Sequence, residues 1–197
     1  MRQFLLVLIL LFSQEKTQTP TILFVGNSLT YTNDLPELVR LEAKSKGIKV
    51  KTRQLANPNY ALLDHWKEGE LQRLIQSGKY DYVVVQQGPS SQDLGKSMLL
   101  ESGELIARLC AQKGSKLAFF MVWPSRLYYH TFDGVITNYS LAAEEMDAIL
   151  CPVGQVWKSH FDKTGEFSYY GPDGFHPSIK GSQVAAEVIV DALFPSD

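Results

Sequence analysis

Short apolar runs set apart by longer amphipathic stretches constrain this chain most. Thr21-Ile22-Leu23-Phe24-Val25 ends at Gly26, and Tyr80-Asp81-Tyr82-Val83-Val84-Val85 ends at Gln86. Leu117-Ala118-Phe119-Phe120-Met121-Val122, within Lys116 to Trp123, is the third such run. A strand with one wet face alternates apolar and polar residues, whereas an unbroken apolar run is covered on both faces. Ile48 to Leu55 does alternate, through Ile48, Val50 and Thr52, and reads as an edge strand; Ile149 to Val153 reads as a last short one. Helical spacing of apolar residues fills the intervals: Asp34 to Gly47, Leu62 to Gln76 with a break near Gly69, Met98 to Gln112, Phe132 to Ala148 and Ile179 to Leu193. Asp34-x-x-Glu37 has the form of a capping box, Pro36 suits a first turn and Gly47 an exit. Phe161 to Pro177 is expected to be irregular. Five strand-then-helix repeats predict an α/β fold, a three-layer αβα sandwich around a parallel five-stranded sheet.

The N-terminus stands outside this pattern. Met1-Arg2-Gln3 precedes Phe4 to Phe12, nine residues without a polar group, and Ser13-Gln14-Glu15-Lys16 closes the run. One positive charge, a short apolar core and a small or polar exit predict a secretory signal peptide over 1–14, with a single domain over 15–197. A buried first strand or a short membrane anchor is the alternative. Nine residues are too few to span a bilayer, which takes about 20. The expected location is therefore secreted or periplasmic, with no stable membrane insertion once the leader is removed.

Lys and Arg number 19 against 21 Asp and Glu, a net charge of −2, without a clustered basic face; a nucleic-acid partner is not expected. The densest basic stretch, Lys44 to Arg53, is broken by Gly47, Ile48 and Val50 and reads as a helix end followed by an edge strand. Cys110 and Cys151 could pair in an exported protein, but each sits in an apolar pattern that equally suits a buried free thiol. His65, His130, His160 and His176 lack ligand spacing with Cys or carboxylates, so no metal is expected.

In parallel sheets ligands lie beyond the carboxyl ends of the strands, so the residues that follow strands come first. Gly26-Asn27-Ser28-Leu29-Thr30 places a hydroxyl at a strand-to-helix turn, where free N–H groups and a helix N-terminus gather. A simple capping Ser would look the same. Gly171-Pro172-Asp173-Gly174-Phe175-His176-Pro177 puts a carboxylate and an imidazole three residues apart on a Gly/Pro-rich loop. A serine nucleophile needs a base, His serves near neutral pH, and a carboxylate fixes its tautomer. A turn with a surface His is the alternative.

Together, Gly26-Asn27-Ser28-Leu29 and Asp173-Gly174-Phe175-His176 resemble two blocks of the SGNH, or GDSL-like, hydrolase superfamily: G-D-S-L after the first strand and D-x-x-H before the last helix. The resemblance runs over about residues 21 to 194 and implies a flavodoxin-like sheet. It also implies Ser28 as nucleophile, His176 as base, Asp173 as its orienter, and no cofactor. The family's second block offers a Gly N–H to the oxyanion; here the turn is Asn57-Pro58-Asn59-Tyr60, and Asn59 takes the Gly position because Pro58 has no N–H. The third block, G-x-N-D, is replaced by Gln86-Gln87-Gly88-Pro89-Ser90. Ser90 falls where the Asn would stand. Gln87-Gly88-Pro89-Ser90 is closer to the Q-G-E-S-type block of carbohydrate O-acetyl esterases, and the Gln87 amide can donate as Asn does. The expected oxyanion hole is Ser28 N–H, Asn59 N–H and Gln87, with Ser90 and Gln86 behind it; a buried amide stitching loops is the other reading of Gln87.

Trp123 and Tyr128 follow the fourth strand and are expected as substrate-binding faces at the rim, though loop packing explains them equally well. His65 and Trp66 read as structural, and the Asn138-Tyr139-Ser140 sequon falls inside a predicted helix. The resulting expectation is an exported serine esterase acting on small-molecule or glycan esters, acetyl esters of carbohydrate foremost. A catalytically weak or inactive glycan-binding relative is the alternative, motivated by the altered middle blocks.

Overall fold

The computed structural model describes residues 19–195, so the expected leader over 1–14 lies outside the described residues. Five strands form one sheet: β1 (Thr21–Gly26), β2 (Lys51–Ala56), β3 (Tyr82–Val85), β4 (Lys116–Phe120) and β5 (Ile149–Cys151). Their order is β2-β1-β3-β4-β5 and every pairing is parallel. This is the doubly wound arrangement expected from the apolar runs. Ile22 to Val25 and Val83 to Val85 are buried on both faces, whereas β2, at the edge, keeps Lys51, Arg53 and Gln54 exposed. Val25 lies opposite both Leu55 and Val85, so Gly26, Ala56 and Gln86 leave the sheet at one level. That common level builds the rim.

The helices are α1 (Ser28–Tyr31), α2 (Leu35–Ser45), α3 (Leu62–Glu68), α4 (Glu70–Gln76), α5 (Asp93–Lys113), α6 (Phe132–Glu145), α7 (Val153–Thr164) and α8 (Ile179–Leu193). The break at Gly69, φ +83°, separates α3 from α4, as the sequence pattern predicts. Three expectations need correction. Asp34 does not form a capping box: its backbone is left-handed, φ +53° and ψ +54°, instead of extended, and its side chain makes no cap bond. Glu37 turns instead to Arg40, 2.6 and 2.5 Å away. The α5 helix begins at Asp93 and not at Met98.

The third correction is α7, which overlaps the stretch expected to be irregular. Val153, Trp157 and Phe161, four apart, bury one face, and Gly165 at φ +69° ends the helix. Aromatic side chains are mediocre helix formers, so this helix rests on packing more than on propensity. Trp157 stacks on Trp123 with ring centres 3.5 Å apart and planes 13° apart, and Phe161 stacks on Tyr170. The final helix matches its predicted bounds, Ile179 to Leu193.

Cys110 and Cys151 are both buried and free, so the possible disulfide is not formed. Burial pushes both thiols up to about 12, which leaves almost no thiolate at neutral pH. A thiol-specific reagent at pH 8 should therefore react slowly with the native protein, and both cysteines should titrate at once in denaturant. Fast native labelling would contradict the burial of these two side chains.

Candidate active site

Ser28 opens α1 directly after β1 and Asn27. The turn is held from three sides. Asn27 accepts the Leu29 N–H on its side-chain oxygen, 3.1 Å, and donates its side-chain N–H to the Tyr60 carbonyl, 3.0 Å. Thr30 and Tyr31 donate their N–H groups to the Asn27 carbonyl. The Ser28 N–H is then the first-turn amide left without a partner among the described residues.

Gln86, fully buried, braces the same turn from β3. Its Oε1 accepts the Asn27 N–H and the Thr30 hydroxyl, both at 3.0 Å, while its Nε2 donates to the Gln87 carbonyl at 2.6 Å. With its oxygen and one N–H committed and the side chain fully buried, Gln86 serves the turn and is a poor oxyanion donor. His65, also buried, donates from Nε2 to the Gly26 carbonyl at 2.7 Å, because a carbonyl only accepts. This makes His65 a structural clamp on the turn, as expected of it.

The loop from Tyr169 to Ser178 supplies the other half. It closes on itself through Gly171 N–H to the His176 carbonyl, 2.7 Å, and Ser178 N–H to the Tyr169 carbonyl, 2.8 Å. Asp173 Oδ1 accepts the N–H groups of Phe175 and His176, each at 2.9 Å. Its Oδ2 meets His176 Nδ1 at 2.6 Å, and His176 Nε2 lies 3.0 Å from Ser28 Oγ. Hydroxyl, imidazole and carboxylate thus stand in one line across 148 residues of chain. Such a line can pass the hydroxyl proton to the imidazole and stabilise the resulting cation. The His176 contact, followed by the two backbone N–H groups, holds the Asp173 carboxyl below its ordinary value.

Gln87 is almost fully buried beyond β3. Its Oε1 accepts the Leu62 N–H at 2.8 Å, which sets the orientation of the amide and leaves its NH2 as the free end. Its carbonyl takes the Tyr139 hydroxyl at 2.6 Å. Gln87 therefore does stitch loops through one end of its amide, and a donor remains at the other. Asn59 adopts φ +61° in the turn closed by Tyr60 N–H to the Asn57 carbonyl, so that bond does not use the Asn59 N–H. Ser90 spends its hydroxyl hydrogen on the Gly88 carbonyl, 2.9 Å, and is a poor candidate for the donor.

Trp123 requires correction. It is fully buried, its ring lies against Trp157, and its N–H donates to the Phe175 carbonyl at 2.9 Å. It supports the His176 loop and offers no face to a ligand. Tyr128 is 57% exposed and lines a cleft of about 710 Å3 that begins at Phe175 and includes Ser90, Pro124, His130 and Thr131. Asn138 of the sequon is buried and donates to the Ser90 carbonyl, so it is a loop support. Among the described residues no cluster of His, Cys, Asp or Glu could hold a metal, and no helix is long and apolar enough to cross a membrane. The two terminal motifs mark Ser28, Asp173 and His176, whereas nothing local marks the bracing by Gln86, whose partners lie 56 and 59 positions away.

A Cβ on Gly26 would sit 2.3 Å from Thr30 Oγ1 and 2.5 Å from Gln86 Oε1, both already hydrogen-bonded. Gly26→Ala should cost about 1–3 kcal/mol in denaturant titrations. Separately, the lowered Asp173 pKa means that stability gained from its contacts is present above the ordinary carboxylate value of 3.8 and lost as pH falls through the lower folded value. The side chain is 52% exposed, so the contribution is small. Asp173→Asn should thus narrow the stability difference from wild type in acid and widen it above pH 5, as read by unfolding at several pH values.

No family model matches the chain, and no curated protein matches it in sequence. Solved structures do. A protein from Slackia heliotrinireducens, described as a proposed SGNH hydrolase, superposes with a TM-score of 0.76 at 21% identity over 89% of this chain and 100% of its own. A lipase/acylhydrolase from Enterococcus faecalis gives 0.69 at 15% identity over 87% and 93%. A variant of an acetyl-xylooligosaccharide esterase from Geobacillus gives 0.68 at 15% identity over 90% and 95%. With its parallel 2-1-3-4-5 sheet matched over nearly its full described length, the chain has the three-layer αβα fold of the SGNH, or GDSL-like, hydrolases.

Proposed function

We propose that this protein is an exported serine esterase that removes acyl groups, acetyl foremost, from carbohydrate esters. The line Ser28–His176–Asp173, with contacts of 3.0 and 2.6 Å, carries this reading. His176 takes the Ser28 proton as Oγ attacks the ester carbonyl, and Asp173 stabilises the imidazolium. The N–H groups of Ser28 and Asn59 and the free end of the Gln87 amide stabilise the oxyanion. The tetrahedral intermediate collapses as His176 protonates the departing alcohol. Water, deprotonated by His176, then cleaves the acyl-enzyme and restores Ser28. The residues that perform this need no metal or cofactor.

The substrate class rests on three supports. A cleft of about 710 Å3 is lined by Phe175, the neighbour of His176, though not by Ser28 or His176 themselves, and its size suits a bulky alcohol held beside the reacting residues. Tyr128 offers it an aromatic face, and Thr131 and His130 offer polar groups. An acetyl-xylooligosaccharide esterase is among the structures that share the fold. Export rests on the Phe4 to Phe12 run alone.

Hydrolysis of p-nitrophenyl acetate and of acetylated oligosaccharides tests this reading. Ser28→Ala should abolish turnover, and protein that releases no acetate from either substrate would refute it. Gln87→Ala should lower kcat about 100-fold with little change in KM, since the donor acts mainly in the transition state. It should also lower the melting temperature by a few degrees, because it removes the acceptor of the Leu62 N–H. Loss of stability with full activity per folded molecule would leave Gln87 as a stitch only.

A further inference from the structure

Between α1 and α2 the chain passes through two consecutive residues in the left-handed region, Asn33 at φ +57° and ψ +21°, and Asp34 at φ +53° and ψ +54°. Asn and Asp enter left-handed backbone more readily than other residues with a Cβ, but as single residues, so a consecutive pair points to surroundings that hold it. The Asn33 amide shows what does so here. Its Nδ2 donates to the Pro177 carbonyl at 3.1 Å and lies 3.0 Å from the Ser182 hydroxyl. Pro177 directly follows His176, and Ser182, fully buried, belongs to α8.

The position of these bonds gives them meaning. The His176 loop is a closed unit, and its other anchors reach toward the β4 side. Trp123 N–H donates to the Phe175 carbonyl, Arg126 N–H to the Gly174 carbonyl, and the Tyr170 hydroxyl to the Pro124 carbonyl. Ser28 arrives from the opposite direction, on β1. Among the described residues, and apart from the Ser28–His176 contact itself, the hydrogen bonds that tie the Ser28 segment to this loop and to the start of α8 are those of Asn33.

We infer that Asn33 is a positioning residue: it sets the Ser28-bearing segment in register with the His176 loop, and the left-handed pair is the backbone cost of aiming its amide there. The inference rests on the esterase reading above. Reaction rates depend steeply on the separation of nucleophile and base, so a slack register should slow turnover without weakening substrate binding.

Two variants test it. Asn33→Gly accepts the left-handed backbone without a Cβ and removes the amide, so the strained turn relaxes as the clamp is lost. Asn33→Asp keeps the size and the tolerance for left-handed backbone but presents acceptors to the Pro177 carbonyl in place of a donor. Both should lower kcat for p-nitrophenyl acetate about tenfold, with KM within about twofold of wild type. The melting temperature of Asn33→Gly should stay within a few degrees of wild type. Wild-type kcat per folded molecule in either variant would overturn the assignment, as would a fall in activity that only tracks unfolding. If the wild type shows no Ser28-dependent hydrolysis, the esterase reading falls and takes this role with it; an active wild type beside equally active variants removes the Asn33 role alone.

Discussion

The parallel pairing of β1 with β3 is the constraint on which the site depends. It brings Gly26 and Gln86 off the sheet side by side, and the buried Gln86 amide then fastens the Asn27–Thr30 turn from below. Gly26 has no Cβ because that space belongs to Thr30 and Gln86. A buried amide with its hydrogen bonds made is rigid, and leaving it half-satisfied is costly. Ser28 is therefore presented by a turn whose neighbours on both flanking strands are hydrogen-bonded to it.

The opposite side of the site is built from a different kind of interaction. The His176 loop closes on itself through backbone bonds, and an aromatic cluster beneath it, Trp123, Trp157, Phe161 and Tyr170, holds it against the sheet. The helix α7 exists to a large extent through that cluster. Two rigid bodies, one polar-braced on β1 and one aromatic-packed on β4 and α7, meet at the 3.0 Å contact between Ser28 and His176. Hydroxyl and imidazole are thereby held at hydrogen-bonding distance from two sides, with neither left to find the other.

The two altered middle blocks take on a physical sense in this frame. Asn59 occupies a left-handed position that glycine would take without strain, and its N–H is independent of its side chain. Gln87 reaches further than Asn by one methylene, and the Leu62 N–H takes up its oxygen and leaves the NH2 as the free end. One end of the side chain thereby fixes the start of α3 while the other end keeps its donors, so the alternatives of stitch and donor do not exclude each other.

The sheet, its parallel sense and the edge position of β2 are legible in the chain's local patterns, and the resemblance in its two terminal motifs points to Ser28, Asp173 and His176. The sheet is written in local terms, unbroken apolar runs and one alternating run, and Ser28 sits in a turn directly after a strand; Asp173 and His176 lie between α7 and α8 and are marked by the D-x-x-H resemblance. The sequence by itself did not determine α7, whose aromatic face has weak helical propensity and is stabilised by Trp123 and Tyr170 from distant elements. Nor did it place Trp123, which follows a strand like a rim residue but is drawn inward onto Trp157. The Asp34 capping box is a correct local pattern overruled by the left-handed pair at Asn33 and Asp34, beside the Asn33 amide's hold on Pro177. Local propensities amount to tenths of a kcal/mol to about 1 kcal/mol per residue, while burial of an indole or an amide network is worth several. Wherever the two disagreed, the tertiary contact decided.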